Sequence, residues 1–449
     1  MSKKYTIGTC LCGFLHLAGL ILISNLLAIR LLLCGPIVGR FCFWAVAVVL
    51  YLWAIVHPLP FLRSPKRIRG LARGRFLLRC FAWLSLLNSI GAILGLFVMR
   101  QSLWYGLAHL LVSQILLAPA LYSGILRAAL RSSQLRVYQR VLLLVFWWMP
   151  WVNFFVSLGL ARLIGREYVR EWDREEWEQA RAENAYCKTR YPILMVHGVF
   201  FRDQRFFNYW GRIPATLKRN GAEIYYGEQQ SAGTVAQCGA QLKERIQQIL
   251  DETGCEKVNI IAHSKGGLDS RYCITALEMG DRVASLTTVN TPHRGCAFAD
   301  YLLKKVPHTI RNRIAGTYND ALARLGETDA DFLGAVQDLT AQRCALFNAQ
   351  TPDHPGVWYQ SVVSRMKNCF SAPFPLNCTY LLVKAFSKEN DGLVDIRSAA
   401  WGKVKTLAPK GRRGISHGDV IDLWRENVPG FDVREYYVDL VHDLQQRGY

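Results

Sequence analysis

The chain has 449 residues, which is long enough for more than one domain. Its 54 Lys and Arg residues outnumber 34 Asp and Glu residues, so the formal net charge is +20. Residues 1–184 hold 21 cations and 7 acids, and so carry 14 of these 20 charges. Because the excess lies in an apolar region, and no internal repeat or recognition motif accompanies it, the composition argues against nucleic-acid binding.

The first third of the chain is apolar and lacks acidic side chains. Residues 1–166 contain 18 Lys and Arg residues and no Asp or Glu. A run of about 20 apolar residues is long enough to cross a bilayer. We therefore expect an all-α transmembrane domain over residues 1–162, with about five spans. The expected spans lie near residues 7–29, 42–62, 80–99, 103–126 and 141–161.

Basic residues between the spans set the expected orientation, because they are enriched in cytoplasmic loops. The connection over residues 63–79 holds seven cations, and residues 127–140 hold four. With five spans, both lie on the side of the N-terminus, which is then cytoplasmic, and the C-terminal domain is outside. Residues 141–161 also fit a helix lying in the membrane interface, and the loss of that span would reverse the side.

A charged segment over residues 163–190 follows the apolar region. It contains Trp172 and Trp177 among its charged side chains, which is typical of a helix at a membrane surface. We interpret it as a juxtamembrane linker. Residues 191–449 then form the second domain.

The most informative pattern is a β-branched apolar run over residues 258–262, followed by His263 and Ser264 and by a helical pattern over residues 268–277. The residues two before and two after the serine are Ala and Gly266. A sharp turn from strand to helix needs small residues at these positions, and it exposes the serine hydroxyl. The pattern predicts that Ser264 is a nucleophile.

A second strand pattern, over residues 191–199, ends in His197 and Gly198. By itself this is an ordinary strand end, but it lies about 65 residues before Ser264, where an oxyanion loop is expected. The oxyanion of an acyl-transfer reaction needs two backbone N–H donors. We expect these from Val199 and Lys265.

A nucleophilic serine of this kind needs an acid later in the chain. Residues 377–386 are interpreted as a strand that runs into a polar loop with Glu389, Asp391 and Asp395. A carboxylate just past a strand end can reach an imidazole, and Asp391 is the best placed. Glu389 and Asp395 are the alternatives.

The base must follow the acid, which leaves His417 and His442. His442 lies in an amphipathic helical pattern over residues 436–445, where a histidine is usually a surface residue. His417 lies in a flexible loop before a helical segment. We therefore predict His417 as the base.

Residues 191–445 resemble the true lipases of bacteria, the triacylglycerol lipases of the Pseudomonas–Burkholderia and Bacillus types. The resemblance implies an α/β-hydrolase domain, with a mostly parallel sheet, helices on both faces and a helical cap at about 300–347. It also implies that Ser264, Asp391 and His417 are the catalytic triad, with the oxyanion amides on Val199 and Lys265. Five segments match in order: residues 191–198, 217–226, 257–272, 285–300 and 390–394 with 417–419.

Two of the departures from the family pattern bear on the site. Lys265 stands where these lipases more often have Gln, His or Met, which predicts a cation beside the site. Asp419 matches a calcium ligand of the family, but its upstream carboxylate partner has no counterpart between Asp353 and Glu389. Since calcium takes six to eight oxygen ligands, we expect no metal and no cofactor.

The expected function is that of a membrane-anchored serine ester hydrolase, a lipase or esterase, in a bacterial cell membrane. Its expected partners are a lipid or other acyl-ester substrate and the bilayer, and protein partners stay open. An acyltransferase or a phospholipid or inositol deacylase would use the same fold and triad. A catalytically silent membrane-binding or scaffold protein is the alternative outside enzymes.

Overall fold

The computed structural model describes residues 7–32, 36–59, 65–98, 100–135, 141–142, 145, 149–182, 184–199, 208–324, 331–409 and 411–449. The chain divides into two compact units, Met1–Trp177 and Glu178–Tyr449. We call them the helical unit and the hydrolase unit, and each is described by itself.

The helical unit contains the apolar helices that the sequence predicts. Among the described residues, three helices are long and apolar enough to cross a membrane: Ile37–Val56, Lys66–Phe97 and Leu103–Arg131. The last expected span, residues 141–161, lies partly outside the described residues. The helices are α1 (Ile7–Ser24), α2 (Leu26–Leu32), α3 (Ile37–Val56), α4 (Lys66–Phe97), α5 (Leu103–Arg131) and α6 (Pro150–Ala182).

Two segments that we expected to be separate from spans are parts of long helices. The cationic connection over residues 63–79 is helical from Lys66 onward, because α4 begins directly after Pro65 and continues to Phe97. Arginine and lysine are good helix formers, so a basic segment extends a helix as readily as an apolar one. Likewise, α6 joins the end of the last expected span to most of the charged linker.

The hydrolase unit is built on a six-stranded sheet with the strand order β2-β1-β3-β4-β5-β6, in which every pair is parallel. The prediction of a mostly parallel sheet is confirmed. Strands β1, β3 and β4 are buried along their whole length, as is typical of a parallel sheet that is covered on both faces. The strands are β1 (Ile193–Val196), β2 (Ile224–Tyr226), β3 (Val258–His263), β4 (Val283–Val289), β5 (Trp358–Ser364) and β6 (Lys403–Leu407).

Helices cover both faces of this sheet. Consecutive residues of β1 belong to different cores: Ile193 packs with Leu217 and Val438, and Leu194 packs with Ile246 and Ile274. The prediction of helices on both faces is therefore confirmed. The helices of this unit are α7 (Ile213–Arg219), α8 (Val235–Thr253), α9 (Gly266–Thr275), α10 (Ala297–Lys305), α11 (His308–Arg324), α12 (Phe332–Asp338), α13 (Ala341–Gln350), α14 (Leu376–Lys384), α15 (Ile396–Ala399) and α16 (Val433–Gln446).

The strand expected over residues 377–386 is wrong, because this segment forms α14. Its buried residues are Leu376, Tyr380 and Val383, and this spacing places them on one face of a helix. The exposed fraction of the Leu381 side chain is 57%, so the apolar run does not mark a buried strand. The strand at this point of the sheet is β5, which ends at Ser364.

Candidate active site

The turn between β3 and α9 holds Ser264 at a positive φ of 53°, a conformation that non-glycine residues rarely adopt. The turn is close to the His197–Gly198 loop. A Cβ on Gly198 would lie 2.7 Å from the Ser264 Cβ, and a Cβ on Gly266 would lie 2.4 Å from the His197 carbonyl oxygen. Small residues are therefore needed on both sides of the contact, as the sequence pattern indicates for Gly266.

Asp391 and His417 form a buried pair. The Nδ1 atom of His417 donates to Oδ2 of Asp391 at 2.6 Å, and the two side chains are 9% and 1% exposed. The other carboxylate oxygen accepts from the N–H groups of Leu393 and Val394. The His417 N–H also donates to the Asp391 carbonyl at 2.8 Å. Both carboxylate oxygens have donors, so the carboxylate holds the imidazole in one orientation.

The alternative acids and the alternative base have other partners. Asp395 caps the N-terminus of α15 by accepting from Arg397 and Ser398. Glu389 forms an exposed ion pair with Arg365. His442 stacks on Tyr186 with 3.6 Å between ring centroids. Of the candidate acids, Asp391 is the one that the fold brings to His417.

A hydrogen-bond chain connects the His197–Gly198 loop to His417. The Tyr209 hydroxyl accepts from the Gly198 N–H at 3.0 Å and donates to Nδ1 of His263 at 2.6 Å. Nε2 of His263 donates to the His417 carbonyl at 3.2 Å, which requires the proton on Nε2 and leaves Nδ1 as an acceptor. Burial holds the pKa of His263 well below its usual value, so this ring stays neutral.

Sequence reasoning missed Tyr209. No motif marks it, because its role depends on a contact with His263, 54 residues later in the chain. His197 contributes to the same loop, since its ring nitrogens lie 2.9 Å from the carbonyl oxygens of Gly198 and Gln229.

The expectation that the Lys265 cation borders the site is wrong. Its side chain is 1% exposed, and its Nζ atom lies 2.6 Å from Oδ1 of Asp269, one turn later in α9. Burial alone would lower the pKa of Lys265, but the Asp269 carboxylate raises it above its usual value. The lysine charge is neutralised inside the protein, and only the backbone of Lys265 is left to act at the site.

The surroundings of Asp419 do not fit a calcium ion. Its Oδ1 atom accepts from Arg413 at 2.9 Å, and its Oδ2 atom accepts from the N–H and the hydroxyl of Ser416. Calcium ligands must direct free oxygen lone pairs at the ion. Here the guanidinium group of Arg413 supplies the positive charge that faces the carboxylate.

A cavity of about 390 Å³ opens at Ser264 and His417. Its walls are largely apolar. The predicted cap region contributes Tyr318, Val336 and Leu339, and the segment that was expected to be a strand contributes Thr379. The lining residues outside the cap are Val199, Tyr209, His263, Ser264, Pro292, Cys296, Ala299, Pro375, Leu376, Thr379, Leu393, Val394, His417, Gly418, Ile421, Leu423 and Trp424.

Comparison with known proteins identifies the same part of the chain. Residues 190–293 match the family model described as lipase (class 2). A triacylglycerol lipase from Burkholderia plantarii is 37% identical over 186 residues, which cover 38% of this chain and 51% of the relative. A solved structure, that of Staphylococcus hyicus lipase, is 17% identical with a TM-score of 0.46, and the match covers 58% of this chain and 97% of that chain.

The chain spans about half the length of the first two curated relatives that it matches. It spans more of a triacylglycerol lipase from Vibrio cholerae, which is 30% identical over 249 residues. That match covers 50% of this chain and 78% of the relative. On this match, the chain belongs to the family of bacterial triacylglycerol lipases, within the α/β-hydrolase superfamily.

Proposed function

We propose that this protein is a membrane-anchored serine hydrolase that cleaves acyl esters of lipids through an acyl-enzyme. One observation carries the proposal. Ser264 and His417 line the same apolar cavity, and a buried carboxylate, that of Asp391, holds the imidazole. The triacylglycerol lipase relatives support the same reaction class.

Proton transfer begins at His417. Because its Nδ1–H group donates to Asp391, Nε2 is the nitrogen that accepts the Ser264 proton. The serine oxygen then attacks the ester carbonyl, and the imidazolium returns the proton to the departing alcohol. Water repeats the sequence on the acyl-enzyme and releases the acid.

The tetrahedral intermediate places a negative charge on the former carbonyl oxygen. We assign its two donors to the backbone N–H groups of Val199 and Lys265. Lys265 is at the start of α9, where the first N–H groups have no acceptor within the helix. Tyr209 fixes the loop that carries Val199 by accepting from Gly198.

The shape and surface of the site support an acyl chain as the part of the substrate that is recognised. The cavity wall formed by Pro375, Leu376 and Thr379 belongs to a segment whose outer side is also apolar. Large exposed apolar side chains in and next to this segment are Phe370, Phe374, Leu381 and Phe386. An exposed apolar patch of this kind is typical of a surface that meets lipid or another protein.

We also propose that the helical unit anchors the chain in a bacterial cell membrane, and the helices α3, α4 and α5 support this association. Five spans would place the hydrolase unit outside the cytoplasm. That side conflicts with the ion pairs of Arg67, in the basic connection, with Glu167 and Glu171, which follow the last expected span, because residues in contact lie on one side of the bilayer. Protease added to intact spheroplasts should therefore leave the hydrolase unit intact, and its removal would place this unit outside the cytoplasm.

The reaction is tested by measuring hydrolysis of long-chain acyl esters by the purified full-length protein. Ser264→Ala should lower turnover by about 10⁶-fold, because triad members act as a unit. Ser270→Ala is the matched control, since it removes another hydroxyl, which donates to the Gly266 carbonyl in α9. It should leave turnover within about threefold of the wild-type value. Equal activity of Ser264→Ala and Ser270→Ala would refute the proposal.

A further inference from the structure

In the helical unit, side chains of α4 and α6 contact each other, and residues late in one helix meet residues early in the other. Near the apolar end of the pair, the rings of Trp83 and Phe154 are 5.2 Å apart. At the polar end, Arg67 of α4 forms ion pairs with Glu167 and Glu171 of α6. The boundary between apolar and charged surface therefore lies between these two sets of contacts.

A groove of about 460 Å³ lies at this boundary. It is lined by four arginines, with Gly165 and Val169 between them. Three of the arginines are spaced four residues apart on α6, so they share one face of the helix. The arginines are Arg75, Arg162, Arg166 and Arg170.

Within the described part of the chain, none of the four guanidinium groups forms an ion pair. The nearby carboxylates of Glu167 and Glu171 pair with Arg67 and Arg174. The Nε atom of Arg75 is buried and has no hydrogen-bond partner there. A buried donor without an acceptor is costly, and like charges repel, so the groove is suited to an anion with several oxygen atoms.

The Arg75 side chain lies directly against the backbone of α6. A Cβ on Gly165 would lie 2.7 Å from the Nε atom of Arg75, so a side chain at position 165 would displace the guanidinium group.

Arg75 also lines a second space, an apolar cavity of about 620 Å³ between α1 and α4. Leu17, Phe76 and Leu84 are among its other lining residues. Farther along α4, Trp83, Leu87 and Ile90 are at least 39% exposed, and Trp83 is about 12 Å from Arg75 along the helix axis. The arginine-lined groove, which is suited to an anion, and the apolar cavity therefore meet at Arg75.

We propose that Arg75, Arg162, Arg166 and Arg170 bind the phosphate of an anionic phospholipid whose acyl chain enters the cavity between α1 and α4. The phosphate is the chemistry that the arginines recognise, and free phosphate shares it. The adjoining apolar cavity favours the lipid, because free phosphate has no apolar group that could occupy it. This site is separate from Ser264 and does not depend on the proposed reaction.

The test uses the purified full-length protein in neutral detergent and counts bound lipid by native mass spectrometry. Phosphatidylglycerol should bind more tightly than phosphatidylcholine. Arg162→Gln/Arg166→Gln should weaken phosphatidylglycerol binding by about 30-fold, as expected for two basic contacts at a membrane surface. Arg30→Gln/Arg40→Gln, which removes two exposed charges of the same unit, should leave it within about twofold.

Gly165→Ala is the second variant, and it leaves every charge in place. It should weaken phosphatidylglycerol binding by displacing Arg75, although alanine favours the helix itself. An equal loss in Arg30→Gln/Arg40→Gln would show attraction by net charge alone and overturn the site. Displacement of the lipid by inorganic phosphate at equal concentration would overturn the role of the acyl chain, and the absence of any preference for phosphatidylglycerol would overturn the proposal as a whole.

Discussion

The two units of this protein treat charged side chains in opposite ways. In the hydrolase unit, the buried charged groups near the candidate site are paired inside the fold, as in Asp391 with His417 and Lys265 with Asp269. In the helical unit, cations exceed acids, and the buried Nε atom of Arg75 has no hydrogen-bond partner among the described residues. The hydrolase unit therefore neutralises these buried charges with its own side chains, whereas the proposed arginine site of the helical unit would be neutralised by a bound anion.

Because charged groups in the hydrolase unit are paired inside the fold, we expect the loss of one partner to have a large effect on activity or stability. The largest effect is expected for Asp391, the acid that holds His417. Asp391→Asn should lower turnover by about 10⁴-fold, because an amide no longer favours the reactive imidazole tautomer. Asp395→Asn is the control, since that side chain caps α15 and asparagine caps a helix about as well as aspartate, so turnover and stability should both change little. Steady-state rates of ester hydrolysis by both variants test this expectation. A larger loss of turnover in Asp395→Asn than in Asp391→Asn would identify Asp395 as the acid.

The pair beneath the nucleophile should matter for stability. Lys265→Met leaves the Asp269 carboxylate buried and alone, and it should cost about 3–5 kcal/mol. Lys265→Met/Asp269→Leu removes both charges and should recover most of that loss. Thermal unfolding of the full-length protein, followed by fluorescence, measures both. A double variant that unfolds as early as the single one would show that the pair is not the cause.

The hydrogen-bond chain through Tyr209 should have a smaller effect. Tyr209→Phe leaves the Gly198 N–H without its acceptor, which should lower turnover about tenfold with little change in KM. Tyr437→Phe is the matched control. Within the described residues its buried hydroxyl has no partner, so its removal should leave turnover unchanged. Equal effects of the two substitutions would exclude a positioning role for Tyr209.

The smallest effect is expected from chelation. Because Arg413 supplies the positive charge that faces Asp419, treatment with a chelator should leave hydrolysis and the unfolding temperature unchanged. The same treatment with added calcium is the control. Loss of activity that calcium restores would mean that the Asp419 region binds the ion after all.

Features that depend on neighbouring residues in the chain could be predicted from the sequence. The turn around Ser264 is encoded by small residues next to it, such as Gly266, and a mostly parallel sheet follows from its buried strands. Contacts between distant segments could not be predicted in this way. The pairing of Tyr209 with His263 depends on the folded chain.

Two predictions were wrong because the same residues can be either buried or exposed. Lys265 was expected to border the site because it directly follows Ser264, but Asp269, one turn away, allows its side chain to be buried. Residues 377–386 were expected to be a strand from their apolar content, although the spacing of Leu376, Tyr380 and Val383 is that of a helix. For this segment the missing information was the period of the pattern, which is that of a helix and not the two-residue alternation of a strand.

The most direct test of the proposed reaction is to identify the residue that becomes covalently modified. The full-length protein is treated with a fluorophosphonate that carries a long alkyl chain, digested, and analysed by tandem mass spectrometry. We expect one adduct, on Ser264. It should form slowly in His417→Ala and not at all in Ser264→Ala. An adduct on another residue, or wild-type hydrolysis by protein in which Ser264 is fully blocked, would contradict it.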